Sequence, residues 1–498
     1  MTATSTAWAR HLEPGVTVTA DGLVTDGSLC RRWARIWRGD GGRRVLHSDA
    51  TGWLSASEFD HRTATVAARF AGIGVRPGDR VLLSAEPSVD LVVAYVAALR
   101  AGAVVLPVNT GYRERELGHV VTDGRPQVAV VDREDRAQWV RTAGGPTTLV
   151  VGPDVDLPDG QSGEIDQAQA EDPALLLYTS GTTGVPKGAL LSHGNLLASA
   201  EAVRLAWRWT PDDRLVLALP LFHLHGLGVG LNGSLAAGAS IVLRTRFDAA
   251  DVVGAIADRQ ASQFFGVPTM YARLASGHHL DGLRPLRLCV SGSAPLPADL
   301  HRTVADQSGQ HVIERYGMTE TVMNVSNPYV GERRPGTVGF PLPGVEVRLA
   351  EPTGEILLRG PNVFGGYWNR PEETAASFAD GWFRSGDVGA FDRDGYLRII
   401  GRTKELIISG GYNVYPREVE DVVRKHPGVE DVAVVGVEDP DWGEVVVAFY
   451  EGDAEPGELQ DLARSMLAAY KAPKRLHRVE ALPRNALGKV VKGDLHEP

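Results

Sequence analysis

Short apolar runs alternate with helix-like runs over the first 170 residues, and no other feature of the sequence constrains the fold as strongly. Arg80–Ser84 is typical of a buried strand, Ser88–Arg100 of a helix, and Ala103–Val108 of a second strand. Neighbouring parallel strands need a crossover connection between them, which is usually a helix. The alternation therefore predicts a parallel sheet covered by helices. It returns between residues 241 and 291, so the same architecture extends along the chain.

The second half of the sequence has a different texture. From Gly331 onwards, glycine and proline punctuate strand-like runs without long helices, which predicts a β subdomain. After the segment Gly401–Lys404 the alternation resumes over about 95 residues, which is enough for one small domain. We therefore predict an α/β fold class: a large N-terminal domain of several subdomains over residues 1–403, with parallel sheets and the β subdomain, and a small mobile α+β domain over residues 404–498.

The charge balance limits the partners of the chain. Its 51 Lys and Arg residues against 62 Asp and Glu residues give a net charge of −11, which disfavours broad binding to nucleic acid or to an anionic membrane. The most apolar stretch, Leu91–Val108, contains Arg100 and fits a helix, a turn and a strand better than a membrane span. Two cysteines and no visible signal peptide favour a reducing compartment. We predict a cytoplasmic protein that acts on small molecules, without nucleic-acid or membrane partners.

A loop rich in glycine and hydroxyl residues follows the apolar run Leu175–Tyr178. It reads Thr179-Ser180-Gly181-Thr182-Thr183-Gly184-Val185-Pro186-Lys187-Gly188. Glycines let backbone N–H groups approach an anion closely, hydroxyls donate hydrogen bonds, and a lysine adds positive charge. The loop is not a Walker A motif, because Lys187 is followed by Gly188 rather than by serine or threonine. It predicts a phosphate-binding loop of another type.

Five motifs, in order along the chain, resemble those of the adenylate-forming superfamily, which contains acyl-CoA synthetases, peptide-synthetase adenylation domains and luciferases. They are Tyr178–Gly188, Ser291-Gly292-Ser293-Ala294, Tyr316-Gly317-Met318-Thr319-Glu320-Thr321, Ser385-Gly386-Asp387 with Gly401-Arg402, and Pro483–Lys489. The resemblance covers about residues 50 to 495. It implies a two-step reaction, in which an acid first reacts with ATP to give an acyl adenylate and pyrophosphate, and a thiol then displaces AMP.

The resemblance implies ATP and Mg²⁺ as cofactors and gives most motif residues a role. Glu320 would hold Mg²⁺, which needs only one or two carboxylates when phosphates share it, and Thr319 would hydrogen-bond the α-phosphate. Lys489 would stabilise the negative charge that gathers in the adenylation transition state. The residues implied in nucleotide binding are Thr179, Ser180, Gly181, Thr182, Thr183, Gly184 and Lys187, with Gly292, Ser293, Ala294, Tyr316 and Gly317, and Asp387 and Arg402 at the ribose.

Three further segments resemble parts of the thioester-forming machinery. Lys404 occupies the hinge position, about which the C-terminal domain would turn between the two steps. Ser409-Gly410-Gly411 resembles the loop that lines the pantetheine tunnel for coenzyme A, the implied co-substrate. In Phe222-His223-Leu224-His225-Gly226, an aromatic-histidine motif beside the acyl pocket, either His223 or His225 would gate the site. The choice between the two histidines stays open.

The stretch Arg315–Tyr329 looks like the malonyl-CoA synthetase version of its motif, with Met323 and Asn324 near the acyl group. It departs from that version at Val322 and Val325, so malonate and methylmalonate are equally compatible with it. The alternatives are a short- or medium-chain monocarboxylate as the acid, or adenylation for a carrier protein in trans. A non-enzymatic relative is disfavoured, because both Glu320 and Lys489 are present.

A dicarboxylate substrate leaves one carboxylate unreacted, and a buried carboxylate needs a cation, best supplied by the planar fork of arginine. Arg287 and Ser291 share a face of a predicted strand, which would aim Arg287 at the acyl group. Arg246 follows the predicted strand Ile241–Leu243, and Arg244 is its rival on the same face. Arg246 and Arg287 also resemble the malonate-binding arginines of the subfamily. We therefore predict ATP-dependent ligation of malonate or methylmalonate to coenzyme A.

Overall fold

The computed structural model describes residues 6–145, 148–158, 160, 163–179, 186–484 and 490–497. Packing divides the chain into two compact units. The first consists of Met1–Val347 and Leu358–Phe383, and the second of Arg348–Leu357 and Arg384–Pro498. These units describe which residues pack together, whereas the predicted boundary at Lys404 is the point about which the C-terminal domain would turn. That boundary therefore stays a prediction.

Several helices begin where a serine side chain caps them. Ser55, Ser88 and Ser192 each accept a hydrogen bond from a backbone N–H in the first turn, which satisfies a donor that the helix leaves unpaired. The α-helices are α1 Leu29–Gly39, α2 Ala56–Gly72, α3 Val89–Arg100, α4 Glu114–Gly124, α5 Glu134–Gly144, α6 His193–Ala206, α7 Asn232–Ala237, α8 Ala249–Asp258, α9 Pro268–Ser276, α10 Ala298–Ser308, α11 Pro371–Ala376, α12 Pro416–Val423 and α13 Pro456–Met466.

The strands lie between these helices, as the alternation predicts. They are β1 Arg44–Ser48, β2 Gly52–Ser55, β3 Arg80–Ser84, β4 Val104–Pro107, β5 Val128–Val131, β6 Leu149–Val151, β7 Pro173–Thr179, β8 Lys187–Ser192, β9 Arg214–Leu217, β10 Ser240–Leu243, β11 Gln263–Gly266, β12 Leu288–Ser291, β13 Ile313–Tyr316, β14 Val325–Ser326, β15 Phe340–Pro341, β16 Glu346–Ala350, β17 Glu355–Arg359, β18 Gly366–Tyr367, β19 Phe378–Ala379, β20 Trp382–Phe391, β21 Leu397–Arg402, β22 Ile407–Ser409, β23 Tyr412–Val414, β24 Val429–Asp439, β25 Gly443–Gly452 and β26 Arg475–Arg478.

The first unit contains two sheets with long parallel runs, so the predicted helix-covered parallel sheet is confirmed. One has the order β18-β8-β7-β4-β3-β5-β6 and the other the order β15-β14-β13-β12-β11-β9-β10-β1-β2. In the second sheet the strands from β13 to β1 run parallel, so their carboxyl ends meet at one edge. That edge is where open α/β sheets bind ligands. Phe264 and Tyr271 are fully buried in the core beside it.

The second unit contains antiparallel β20 and β21 together with a small α+β assembly, which confirms the predicted β subdomain and C-terminal fold class. In the α+β assembly the strand order is β23-β22-β25-β24, and β26 pairs with β25 in parallel. Val419 of α12 and Leu459 of α13 are fully buried against Val434 of β24. Within the described ranges, no helix combines the length and the apolar character that crossing a membrane requires.

Candidate active site

The predicted phosphate loop is anchored on two antiparallel strands. Thr179 at the end of β7 pairs with Lys187 at the start of β8, and its Oγ1 donates to the Lys187 carbonyl at 3.4 Å. The Lys187 ammonium lies 5.5 Å from the centroid of the Tyr367 ring. The other predicted loop residues, Ser180, Gly181, Thr182, Thr183 and Gly184, lie outside the described residues. The described part therefore holds together the two ends of the loop.

Helix α4 supports the base of this loop. Tyr178 Oη donates to Asp123 Oδ2 at 2.6 Å, and Trp368 Nε1 donates to the Asp123 carbonyl at 3.2 Å. His119 Nε2 lies 3.1 Å from the carbonyl of Pro186. These contacts tie the strand before the loop and the residue after it to the same helix, which limits the freedom of both ends.

Glu320 is buried, and its carboxylate is oriented by a neutral donor. Tyr367 Oη donates to Glu320 Oε1 at 2.9 Å, and the Glu320 carbonyl accepts from the backbone N–H of Phe364 at 2.8 Å. Burial, followed by the charge of Glu320, raises the pKa of Tyr367, so its phenol keeps the proton that it donates. Thr319 is half-buried beside Glu320. An oriented carboxylate whose donor, Tyr367, also lies beside Lys187 of the predicted phosphate loop fits a hard divalent cation.

The small number of protein ligands also fits magnesium. The described residues contain no group of three or more His, Cys, Asp or Glu side chains that could hold a metal ion. Mg²⁺ retains several water ligands and is usually held by one or two carboxylates together with substrate phosphates. A single carboxylate at position 320 is compatible with such a site, and incompatible with a cage built entirely from protein.

The turn after β12 lies against a buried arginine. Ser291 pairs with Glu314 in the parallel register of β12 and β13, which brings Gly292 next to Arg315. A Cβ atom at Gly292 would lie 2.4 Å from Arg315 Cζ, so only glycine leaves room for the guanidinium. Ser293, with a φ of +70°, directs its Oγ towards His225 Nδ1 at 3.3 Å. The predicted adenine turn therefore adjoins the predicted acyl-pocket histidine.

Arg315 has donors without acceptors. Its Nε and Nη2 atoms are buried and have no hydrogen-bond partner among the described residues. Burial lowers the pKa of Arg315 to about 10, so the guanidinium is still charged at neutral pH. Ser291 Oγ and His225 Nε2 are likewise buried without a partner in that part of the chain. Because unsatisfied buried donors are rare and costly, this group is suited to binding an anion.

Both histidines of the aromatic-histidine motif are neutral at physiological pH. Burial lowers the pKa of His223 to about 4. Burial first, and then the positive charge of Arg315, hold the pKa of His225 far below its ordinary value. A neutral imidazole can donate and accept hydrogen bonds here, but it does not attract an anion as a second cation beside Arg315 would. His225 is the one that contacts the Ser293 turn.

The structure places Arg287 away from the acyl end, which corrects the prediction that it faces this end. Its guanidinium pairs with Asp213, with Nε donating to Oδ1 at 2.6 Å, and it also donates to the carbonyls of Trp207 and Arg208. Arg287 and Asp213 precede β12 and β9, so they lie at the amino ends of parallel strands. Ser291 is four residues further, about 13 Å along the strand. Strand periodicity correctly relates Arg287 to Ser291 as residues of one face, but the two lie at opposite ends of β12.

The other two arginines also differ from each other. Strand β10 ends at Leu243, so the periodicity that paired Arg244 with Arg246 does not extend to them. Arg244 is buried and forms ion pairs with Asp49 at 3.0 Å and Asp251 at 3.1 Å. Arg246 is exposed in the loop after the carboxyl end of β10. Of the two, Arg246 is therefore the one available to a ligand.

Met323 and Asn324 are both fully buried. The Asn324 amide donates to Thr321 Oγ1 at 2.7 Å and accepts from Asn362 Nδ2 at 3.0 Å. Its hydrogen bonds are thus made inside the protein. Asn324 is thereby held against Thr321, next to Glu320, and its place near the acyl group stays a prediction.

The second unit holds the predicted ribose and pantetheine residues. Asp387 pairs with Arg402 across β20 and β21, and its Oδ1 accepts from Arg402 Nε at 3.1 Å. Ser409 ends β22, and Gly410, with a φ of +58°, packs so closely on Trp442 that a Cβ atom would lie 2.7 Å from the ring. Gly411 completes the turn with a φ of +80°.

Two further predicted residues belong to this unit. Lys404 lies in the 3₁₀ turn Thr403–Glu405, directly after β21. Lys489 lies outside the described residues, so its catalytic role stays a prediction.

Sequence reasoning missed two residues of the first unit, Arg315 and Tyr367. Arg315 lies in the fully buried strand β13, immediately before the Tyr316–Thr321 motif, and a charged residue in a short strand-like run is the signal that could have found it. Tyr367 is separated from Glu320 by 47 positions, and no local pattern links them. The contact between Tyr367 and Glu320 depends on the pairing of β18, which carries Tyr367, with β8.

Comparison with known proteins gives a consistent family. The AMP-binding enzyme family matches residues 33–368, and the AMP-binding enzyme C-terminal domain matches residues 418–489. The chain is 38% identical to a feruloyl-CoA synthase of Amycolatopsis sp, over 89% of this chain and 93% of that protein. It is 36% identical to the mitochondrial malonate–CoA ligase of Mus musculus, over 98% of this chain and 93% of that protein.

A solved structure extends the agreement to three dimensions. ATP-bound MatB from Rhodopseudomonas palustris is similar to this chain with a TM-score of 0.88 and 40% sequence identity, over 93% of this chain and 97% of that chain. The matches span both units and the motifs from which the family was first inferred. The chain therefore belongs to the AMP-binding family of adenylate-forming enzymes and is an acid–thiol ligase that forms acyl-CoA.

Proposed function

We propose that the enzyme ligates malonate or methylmalonate to coenzyme A, with ATP as the energy source and AMP and pyrophosphate as products. One observation carries this proposal: the charged, buried guanidinium of Arg315, whose Nε and Nη2 have no acceptor among the described residues. A dicarboxylic acid brings a second carboxylate that can accept from both nitrogens. The similarity to malonate–CoA ligases and to MatB supports the same choice.

Arg315 takes the part that the sequence assigned to Arg287. An arginine already bonded to Asp213 has no need of a ligand, whereas an unpaired buried guanidinium gains strongly from one. Ser291 Oγ and His225 Nε2 would add hydrogen bonds to the same carboxylate. Gly292 keeps the turn beside the guanidinium free of side-chain atoms. Arg246, which is exposed after β10, would add a second positive charge for this carboxylate from the rim of the pocket.

The proposed reaction uses the described residues for binding and orientation. Lys187 and Thr179 would hold the phosphates of ATP, and Thr319 the α-phosphate, while Asp387 and Arg402 would bind the ribose. Glu320 would hold Mg²⁺, which when bound offsets phosphate charge. One carboxylate oxygen of the acid attacks the α-phosphorus, and the bond to pyrophosphate breaks. In the second step the thiol sulfur of coenzyme A attacks the acyl carbonyl, and AMP leaves.

The feruloyl-CoA synthase relative, at 38% identity, supports a second candidate, an aromatic or other monocarboxylic acid. A carrier protein acting in trans would be a third acceptor for the acyl group. A panel of malonate, methylmalonate, propionate and ferulate, scored by pyrophosphate release with and without coenzyme A, separates the candidates. Malonate or methylmalonate should turn over fastest, and only when coenzyme A is present. Faster turnover of ferulate or propionate would overturn the dicarboxylate proposal.

Tyr367→Phe should weaken the binding of Mg²⁺ and ATP together, because Glu320 loses the donor that orients Oε1. Loss of a hydrogen bond to a charged group costs about 1.5–3 kcal/mol, which corresponds to roughly a 10- to 150-fold change in affinity. The measurement is calorimetric binding of ATP in the presence and absence of Mg²⁺. Tyr412→Phe, at an exposed tyrosine of the second unit, is the control. Equal affinity for Mg²⁺ and ATP in Tyr367→Phe and wild type would contradict the orienting role.

Lys404→Pro should permit one half-reaction and block the other. Proline fixes φ near −65°, so a turn that must change conformation between the two steps would be held in one of them. Adenylate formation and thioester formation are measured separately, and Lys404→Ala, which leaves the backbone free, is the control. Wild-type turnover by the proline variant would show that Lys404 is not the pivot.

A further inference from the structure

The described C-terminal segment, residues 490–497, is fastened to the second unit at both ends. Val490 pairs with Arg484, and the Val491 N–H donates to the Pro483 carbonyl at 2.8 Å. At the far end, Glu497 accepts from His477 at 2.9 Å and pairs with Arg475. The chain thus enters and leaves residues 485–489 at adjacent, hydrogen-bonded positions.

Lys492 adds a third attachment. Its ammonium lies 2.8 Å from Glu420 Oε1 on α12 and 3.2 Å from Glu405 Oε2 in the turn after β21. Glu420 is itself fixed, because its Oε1 accepts from the Val434 N–H at 2.9 Å. The Lys492 side chain is about one-quarter exposed and that of Glu420 only 13% exposed. One cation therefore bridges two carboxylates that come from different elements.

The two ends of this bridge are informative because of where they lie in the chain. Glu405 directly follows Lys404, the predicted hinge, within the same 3₁₀ turn. Lys492 follows the predicted catalytic Lys489 by three residues. A partly exposed ion pair contributes only about 0–1 kcal/mol to stability, so folding alone gives little reason for this arrangement. It does join the predicted hinge turn to the segment that directly follows the predicted catalytic Lys489.

We propose that Lys492 is a positioning residue, which couples the hinge turn to the C-terminal segment so that Lys489 is delivered to one defined place in the adenylation step. This inference rests on the proposed function, since it needs the two half-reactions and Lys489. Thioester formation does not use Lys489, so it should not depend on the bridge. The prediction is a split between half-reactions, which a purely structural ion pair would not produce.

The test compares Lys492→Met, which keeps the apolar stem and removes the charge, with Lys471→Met. Lys471 bonds Glu418 at 2.7 Å in the same unit, with a similarly exposed side chain, and is the matched control. Lys492→Met should slow adenylate formation about 10- to 100-fold, because misplacement of a catalytic group by about 1 Å can cost that much. Thioester formation from supplied adenylate should stay within about twofold, and Lys492→Arg should restore most of the lost rate.

The outcomes separate this inference from the function on which it rests. If Lys492→Met slows both half-reactions equally, slows neither, or matches Lys471→Met, the positioning role is overturned. If Lys489→Ala leaves adenylation intact, the assignment of the catalytic lysine fails first, whatever Lys492→Met does. Thermal unfolding of each variant shows whether a loss of rate is a loss of folded protein.

Discussion

Lys489→Ala should slow acyl-adenylate formation by about two to three orders of magnitude and leave thioester formation from preformed adenylate largely intact. Negative charge gathers on the attacking carboxylate and the α-phosphate in the adenylation transition state, and an oriented ammonium stabilises it. Removal of one such contact costs roughly 2.7–4 kcal/mol. Single-turnover pyrophosphate release measures the first step, and AMP release from supplied acyl adenylate and coenzyme A measures the second.

The control for this result is Lys425→Ala, which removes an exposed lysine from the same unit. It should leave both steps unchanged. Equal damage to both half-reactions by Lys489→Ala would contradict the division of labour between them. The proposed mechanism would then need another source of positive charge at the α-phosphate.

The architecture was predictable because its signals are local. Capping serines such as Ser88 and the apolar periodicity of Val89–Arg100 act within a few residues, and the helix begins where they place it. The run Arg80–Ser84 forms a strand with the predicted bounds. Parallel topology follows from the alternation itself, since short connections cannot join parallel neighbours.

The acyl pocket was less predictable, because it depends on which end of a strand a residue occupies. Periodicity correctly relates Arg287 to Ser291 as residues of one face, yet it is silent about the length of strand between them. Asp213, which captures Arg287, lies 74 positions away, and no local rule connects the two. Arg315 lies beside the turn that follows Ser291 because β13 pairs with β12 in a register that only the sheet defines.

Exchange of Arg315 should change which acid the enzyme prefers, whereas exchange of Arg287 should change only its stability. Sites built to pair a polar group can reject analogues that lack it by roughly 10⁴-fold, so malonate should exceed propionate in kcat/KM by a comparable factor. Arg315→Met should reduce kcat/KM for malonate by roughly 10³- to 10⁴-fold and leave that for propionate unchanged or improved. The improvement follows because the variant no longer contains an unpaired buried charge.

Arg287→Met is the matched control, since both substitutions replace a partly or fully buried arginine by the same shorter, uncharged side chain. Removal of Arg287 leaves the carboxylate of Asp213, which is only 3% exposed, without its charged partner. Loss of one partner of a buried ion pair costs about 3–5 kcal/mol. We therefore expect Arg287→Met to lower the unfolding temperature and to keep the ratio of kcat/KM for malonate to that for propionate. Arg315→Met should keep or raise the unfolding temperature and abolish that ratio.

The same measurements on Arg246→Met complete the comparison. If Arg246 only complements the charge from the rim, its removal should cost malonate about tenfold or less, since a solvated cation interacts weakly with a carboxylate. A collapse of the malonate preference in Arg246→Met, with no change in Arg315→Met, would assign the second carboxylate to the exposed arginine. The unpaired donors of Arg315 would then serve another anion. Only the crossed result, with specificity lost at Arg315 and stability lost at Arg287, supports a dicarboxylate held by a buried guanidinium.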